Sequence, residues 1–171
     1  MANSRVTWGI AGLALGLVIG LNLAGLWPQI PVHATATHGQ DNFAICTSPL
    51  DNEVEGVFVL DSVTGDLKGA AKNIQTRTFN TWYEYPVARD LPPNSKNPQY
   101  RIVTGITNFR QVVAAGQLAR SVIYIAEGSS GQVMAYGVPW VNGRHSSPVQ
   151  LREAFIPLAR WQFRTTAIRD K

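Results

Sequence analysis

Cysteine is nearly absent: Cys46 stands alone in a chain of 171 residues. One thiol excludes an intramolecular disulfide, a CxxC redox pair, a c-type haem attachment and a cysteine-built zinc cage. It lies inside the apolar run FAICT, which reads as a buried, inert thiol rather than a nucleophile. Histidine is scarce as well. His33 and His38 lie five apart in a Pro- and small-residue-rich stretch, and His145 sits alone in NGRHSS. A metal site wants a tight pair on a rigid element plus further ligands, so no metal is expected. The chain carries no nucleophile elbow, Walker loop, dinucleotide glycine fingerprint or zincin helix. GSSG at 128–131 has neither a following helix pattern nor a lysine, and reads as a turn. These absences leave no cofactor and no catalytic residue to nominate.

Charge is sparse at 15% of residues, while 45% are aliphatic, aromatic or Cys, a balance that argues for a packed core and against disorder. The isoelectric point near 9.5 does not make this a nucleic-acid binder. The basic side chains are scattered singly, with no Lys/Arg block of the kind that grips a phosphate backbone. They are also unevenly placed. Residues 41–90 hold eight acidic and four basic side chains; residues 91–171 hold three acidic and ten basic. Such asymmetry either lets opposite-signed faces of neighbouring subunits meet or is simply solvated surface.

What the chain does have is one long uncharged run, WGIAGLALGLVIGLNLAGLW, from Trp8 to Trp27. As a helix, its 20 residues would extend about 30 Å, the thickness of a bilayer's hydrocarbon core. Trp8 and Trp27 stand where indoles favour the headgroup layer, and Arg5 is the only charge before the run. Residues 1–28 therefore read as a transmembrane anchor with its N-terminus inside, residues 29–40 as a linker, and residues 41–171 as an extracytoplasmic domain. The expected location is the inner membrane, single-pass, with the body periplasmic. The rival is a signal peptide cleaved near Ala34, where PVHA or ATA offers small residues; the body would then be secreted. Gly12, Gly16 and Gly20 form a small-xxx-small ladder of the kind that packs two anchors together.

The body is β-patterned and repeats itself. FAICT (43–47), EGVFVLD (55–61), DLKGAAK (66–72) and RTFNTWYEYPV (77–87) read as four strands, the last with Phe79, Thr81 and Tyr83 on one face and Asn80, Trp82 and Glu84 on the other. After the turn-rich LPPNSKNP come YRIVTG (100–105), SVIYIAE (121–127), QVMAYGV (132–138) and RWQFRTTAIR (160–169). AICTS corresponds to RIVTG, FVLDSVTGDLKGA to YIAEGSSGQVMAY and, loosely, RTFNT to WQFRT. In both hairpins an acidic residue, Asp61 or Glu127, closes the strand, and four residues ending in Gly65 or Gly131 reverse the chain. The glycine supplies φ > 0; the acid, with hydroxyls such as Thr64, accepts from turn N–H groups. Within the second copy, TNFRQVVAAGQLA (107–119) is a short helix or a loop. SSPVQLREAF (146–155) has a helix start, with Ser147 as cap, Pro148 in the first turn and Gln150 three residues on.

The fold expected is mainly β: two similar antiparallel four-stranded units, about 41–90 and 99–171, packed together behind one transmembrane helix. VFVLDSVTGDL resembles the D-x-x-T-G turn of β-propeller repeats, and each unit resembles a propeller blade. Two blades cannot close a propeller, which takes about four to eight. Either the units pack on each other within one chain, or several chains pool blades into a ring, or the repeat is chance. Taken together, PVHATATHGQDNFAICTSPLDNEVEGVFVLDSVTGDL, NPQYRIVTG, SVIYIAEGSSGQVMAYGVPW and FRTTAIRD are similar to phrases of small planctomycete envelope proteins with one N-terminal apolar segment. That resemblance implies kinship over residues 30–170 and carries no site residue onto this chain.

The best lead to a site is aromatic. Trp82, Tyr83 and Tyr85 cluster in TWYEYP, and Trp140 and Trp161 lie in the second half. An exposed Trp/Tyr platform beside Arg or Glu suits a glycan or protein contact; packing into a core is the plain alternative. Asp51, Glu53 and Glu55 alternate along LDNEVEG as a solvated strand edge does. The expected function is a membrane-anchored binding or assembly module with an envelope protein, a glycan or a second copy as partner. A structural envelope component is one alternative. A hydrolase-type enzyme whose residues converge only in three dimensions is the other.

Overall fold

The hairpin that occurs twice in the sequence occurs twice in the computed structural model, which describes residues 3–23, 37–40, 42–109, 117–141 and 149–165. Strand β3 (Glu55–Asp61) turns into β4 (Asp66–Lys72), and β7 (Leu118–Glu127) into β8 (Gln132–Pro139). Each hairpin is flanked alike: β2 (Phe43–Pro49) and β5 (Phe79–Pro86) enclose the first, β6 (Tyr100–Ile106) and β10 (Ile156–Gln162) the second, all antiparallel. The register repeats too. Phe43 lies opposite Asp61 as Tyr100 lies opposite Glu127, and Pro86 opposite Asp66 as Gln162 lies opposite Gln132. The protein is mainly β, with two antiparallel sheets. The first sheet gains β1 (Thr37–Gln40) beside β2, and β9 (Leu151–Ala154), which runs parallel to β5 on the other edge.

One interior serves both sheets. Phe58, Leu60, Leu67 and Tyr83 of the first join Ile123, Ile125 and Tyr136 of the second in a single buried cluster. Phe155 fills its centre, with its ring 5.9 Å from Phe58 and 5.4 Å from Tyr83. Polar ties cross between the sheets. Thr104 Oγ1 donates to the Thr47 carbonyl at 2.8 Å, and Ser121 Oγ bonds Ser48 Oγ at 3.0 Å and the Pro49 carbonyl. Each satisfies a polar group that would cost about 1–3 kcal/mol if buried unpaired. Cys46 is buried in this interior, and desolvation pushes its thiol up to about 12, so it stays protonated at neutral pH.

Several local expectations give way to tertiary pairing. Residues 37–40, read as linker, form β1 because β2 offers them a free edge. LREA is a strand, not the start of a helix. Val149, Leu151 and Phe155 fall on the strand period, and Thr81 through Glu84 pair with Leu151 through Ala154; Ser147 and Pro148 lie outside the described residues. The last strand begins at Ile156 rather than Arg160 and ends at Gln162, where the Phe163 N–H turns to the Gly131 carbonyl. The matching ends of β5 and β10 are therefore Pro86 and Gln162, not the pairing of RTFNT with WQFRT. In β5 a bulge at Asn80 inserts one residue between the partners of Ala71 and Lys72. It turns Phe79 out to the face of Trp82 rather than the face of Thr81 and Tyr83. Of 107–119, Leu118 and Ala119 belong to β7, and 110–116 lie outside the described residues.

Asn3–Leu23 forms helix α1 in a unit, Met1–His33, separate from the β body, Ala34–Lys171. Its described side chains, at residues 8–20, are all exposed. Among the described residues no helix is long and apolar enough to cross a membrane. The run's end at 24–27 and the cleavage positions at 31–36 lie outside them.

Gly65 and Gly131 take φ +72° and +70°. An added Cβ at Gly65 would sit 3.0 Å from that of Ala88, and one at Gly131 would overlap the Cβ of Arg164. Gly65→Ala should cost about 1–2 kcal/mol for the left-handed backbone alone, and Gly131→Ala more, read as shifts in the urea midpoint. An unchanged midpoint in either variant would refute the requirement for glycine.

Candidate functional site

Strand alternation decides where each aromatic goes. In β5, Tyr83 points inward, fully buried, and its hydroxyl donates to the Pro139 carbonyl at 3.0 Å. Tyr85 is half-buried on the same side, its ring 5.3 Å from Tyr136. Burial, with Asp90 beside it, pushes the Tyr85 hydroxyl above the usual tyrosine range. Trp82 points the other way and is 38% exposed, with Phe79 at 6.1 Å. Trp140 is buried, and its indole N–H donates to Asp51 Oδ2 at 2.9 Å. Trp161 is 67% exposed on β10, 6.3 Å from Phe163. The five residues thus divide: Tyr83, Tyr85 and Trp140 hold the sheets together, while Trp82 and Trp161 each stand on the outer face of a different sheet.

Around Trp82 the outer face of the first sheet is largely apolar. Thr47, Val57, Ala70 and Trp82 are successive cross-strand neighbours, ending on Arg152 of β9. The next row runs Ile45, Val59, Lys68, Glu84. A groove of about 380 Å³ opens at one end of this face between Glu53, Glu55, Lys72, Ile74 and Phe79. The second sheet's outer face is similar. Val103, Tyr124, Ala135 and Ala159 make one row, and Arg101, Ala126, Val133 and Trp161 another. Val103 is 53% and Tyr124 40% exposed. Neighbouring side chains in such rows stand about 4.5–5.5 Å apart, so each row is continuous surface.

The two acidic turn residues sit in matching turns and unlike surroundings. Asp61 accepts from the Val63 and Thr64 N–H groups at 2.8 and 3.1 Å, and Thr64 Oγ1 accepts from Asp66 N–H at 3.3 Å. The Thr64 and Val63 N–H groups hold the Asp61 carboxyl below the usual aspartate range. Glu127 is completely buried. Burial alone would raise its carboxyl, but the Ser130 and Ser129 N–H groups and the Ser129 hydroxyl outweigh that and hold it below the usual glutamate range. Ser129 N–H, Ser129 Oγ and Gln99 N–H all reach Oε1, within 2.9–3.2 Å.

Sequence reasoning missed two features. One is Asp90, whose carboxylate accepts from the Tyr136 hydroxyl at 3.2 Å while its carbonyl accepts from Arg160 at 2.8 Å. No local pattern marks it, because its partners lie 46 and 70 residues away. The other is the pair of outer faces. Its signal was present: VFVL and VIYIA are apolar at successive positions, as strands covered on both faces are. Among the described residues no group of three or more His, Cys, Asp and Glu gathers as a metal site requires. No known protein family, curated protein or solved structure matches the chain.

Glu127→Gln should cost about 2–3 kcal/mol, since buried donors lose their charged acceptor, whereas Asp61→Asn should cost far less in its wet turn. The pH dependence has a definite sign. A depressed folded value stabilises fully above the ordinary glutamate value of 4.5 and is lost as pH falls through the folded value. Melting temperature followed from pH 7 to pH 3 should therefore fall less steeply in Glu127→Gln than in the native chain. Parallel curves would show that folding does not shift the Glu127 carboxyl, and a steeper fall in Glu127→Gln than in the native chain would show that it is raised.

Proposed function

We propose that the protein is an extracytoplasmic binding or assembly module, tethered to the inner membrane by its N-terminal apolar segment and working by surface contact. The carrying observation is the pair of outer sheet faces, each with rows of apolar residues around an exposed tryptophan, Trp82 on one and Trp161 on the other, interrupted by single charges. Exposed apolar residues grouped with tryptophan mark contact surfaces, and Trp is enriched among the residues that dominate contact energy. Kinship with small planctomycete envelope proteins belongs to this proposal and agrees with a body that stands outside the membrane. The uncharged run from Trp8 to Trp27, preceded only by Arg5, supports the tether and its orientation.

Two measurements test the reading. Trp82→Ala should change stability by about 1 kcal/mol or less, because the ring is partly solvated, whereas Tyr83→Ala should cost about 3–5 kcal/mol. A photo-crosslinking amino acid at position 82 of the full chain, irradiated in its own membranes, should form a protein adduct that the same probe at the exposed turn tip, Val63, does not. Equal labelling at both positions removes the contact surface. For the tether, Leu15→Arg adds about 2.5–3.5 kcal/mol to insertion and should move the chain out of the membrane fraction. Retention there would sink the anchor.

A further inference from the structure

The two copies of the meander bury opposite faces. Their matched registers define which residues are equivalent: Phe43 with Tyr100, Asp61 with Glu127, Gly65 with Gly131, Pro86 with Gln162. On β3, Phe58 and Leu60 are wholly buried, yet their equivalents Tyr124 and Ala126 lie on the outer face of β7. Ile123 and Ile125 are wholly buried, yet their equivalents Val57 and Val59 lie on the outer face of β3. The flanking strands agree. Tyr100 and Ile102 are buried while Phe43 and Ile45 face out; Cys46 is buried while its equivalent, Val103, is 53% exposed. On β4 and β8, Leu67 is buried and Val133 faces out, whereas Lys68 faces out and Met134 is buried.

A twofold arrangement of the copies would bury the same face of each. Burial of opposite faces means that the copies stack in the same sense, one face meeting the other kind of face. The interface inside the chain is thus heterologous, and such an interface does not end by itself. The chain's first open face is the counterpart of the surface its second sheet buries, and its second open face is the counterpart of the surface its first sheet buries.

Resting on the reading of these faces as contact surfaces, we propose that the partner is a second copy of this chain, docked head to tail, the outer face of one chain's second sheet on the outer face of the next chain's first sheet. The interior interface supplies the template. Inside the chain the Tyr100 ring and Ala88 both lie against Gly65; between chains Phe43, 48% exposed, takes the place of that ring at Gly131. Arg164 packs against Gly131 as Ala88 packs against Gly65. Inside, Tyr85 packs on Tyr136; between chains the equivalents are Trp161, 67% exposed, and Ala70, a small residue buried to 8% exposure in the row beside Trp82. The second outer face presents Arg101; the first presents Glu55, Asp61 and Glu84 balanced by Lys68, Lys72 and Arg152, so charge does not select the docking and the equivalence of the faces carries it. Propagation gives a ring if the rotation closes, an open filament otherwise. A ring of about four to eight units, the range in which propellers close, would take two to four chains.

The test uses the full chain in detergent, with mass read by light scattering at micromolar concentration. The native chain should form a species of two or more copies. Phe43→Lys with Val59→Lys spoils only the first face; Val103→Glu with Tyr124→Glu spoils only the second. Each double variant alone should be monomeric. Mixed, they should form a dimer and nothing larger, because each retains the face the other lacks. A monomeric native chain, a variant that self-associates like the native one, or a mixture that stays monomeric overturns the proposal. Should a double variant melt early, Phe43→Ser and Val103→Ser take its place, each expected to weaken association at least tenfold; unchanged association counts against it. A monomeric native chain with a crosslink at position 82 to a different protein overturns head-to-tail docking while leaving the binding-module reading intact. Monomeric behaviour with no position-specific crosslink overturns both.

Discussion

Side chains alternate across a strand with a period of two, and the β body depends on which alternating set each copy of the meander buries. The first copy turns Ala44, Cys46, Phe58, Leu60, Leu67 and Tyr83 inward. The second, with the same strand order and register, turns the other set inward: Tyr100, Ile102, Ile123, Ile125, Met134 and Tyr136. The shared interior requires only the inward set of each copy to be apolar, yet β3 and β7 carry apolar residues at successive positions, as strands covered on both faces do. One shared interior satisfies half of that surface. The other half remains on the outside, and the functional reading rests on it.

The same reversal explains why identical turn chemistry yields two different residues. The acid that ends the first strand of each hairpin lies on the outer set in the first copy and on the inner set in the second. Asp61 therefore sits in a wet turn, where two N–H donors suffice. Glu127 is carried into the interior, where a carboxylate is tolerable only with its oxygens hydrogen-bonded, and the Ser129, Ser130 and Gln99 N–H groups with the Ser129 hydroxyl donate to them. Tyr100, across the ladder from Glu127, is likewise buried, and that burial pushes its hydroxyl up to about 12. Its counterpart Phe43 needs no partner for a hydroxyl and stands in solvent.

Much of the fold was legible because the information was local. Acid, four residues and glycine specify a hairpin from backbone sterics alone, and β-branched and aromatic runs specify strands on either side. Where the outcome hinged on a distant partner, local signals misled. The cap-like Ser147, Pro148 and Gln150 precede a strand, because β5 offers LREA a parallel edge that a short helix could not match. The aromatic cluster TWYEYP looked like one platform and is split, since neighbours in a strand point to opposite sides; the bulge at Asn80 then adds Phe79 to the side of Trp82. Of the candidate site, Trp82 and Trp161 were visible in sequence, but the rows that join them to Val57, Val59 and Val133 exist only once registers are set.

The sequence by itself determined the two hairpins, the glycines at their turns, the inert character of Cys46 and the uncharged N-terminal run, because each follows from residue type and near neighbours. Only the tertiary structure decided which face of each copy is inside. That choice is made by packing one sheet on the other: β3 and β7 offer an apolar face on either side, and contact across the chain selects between them, with Lys68 and Glu84 favouring the outer side of the first sheet.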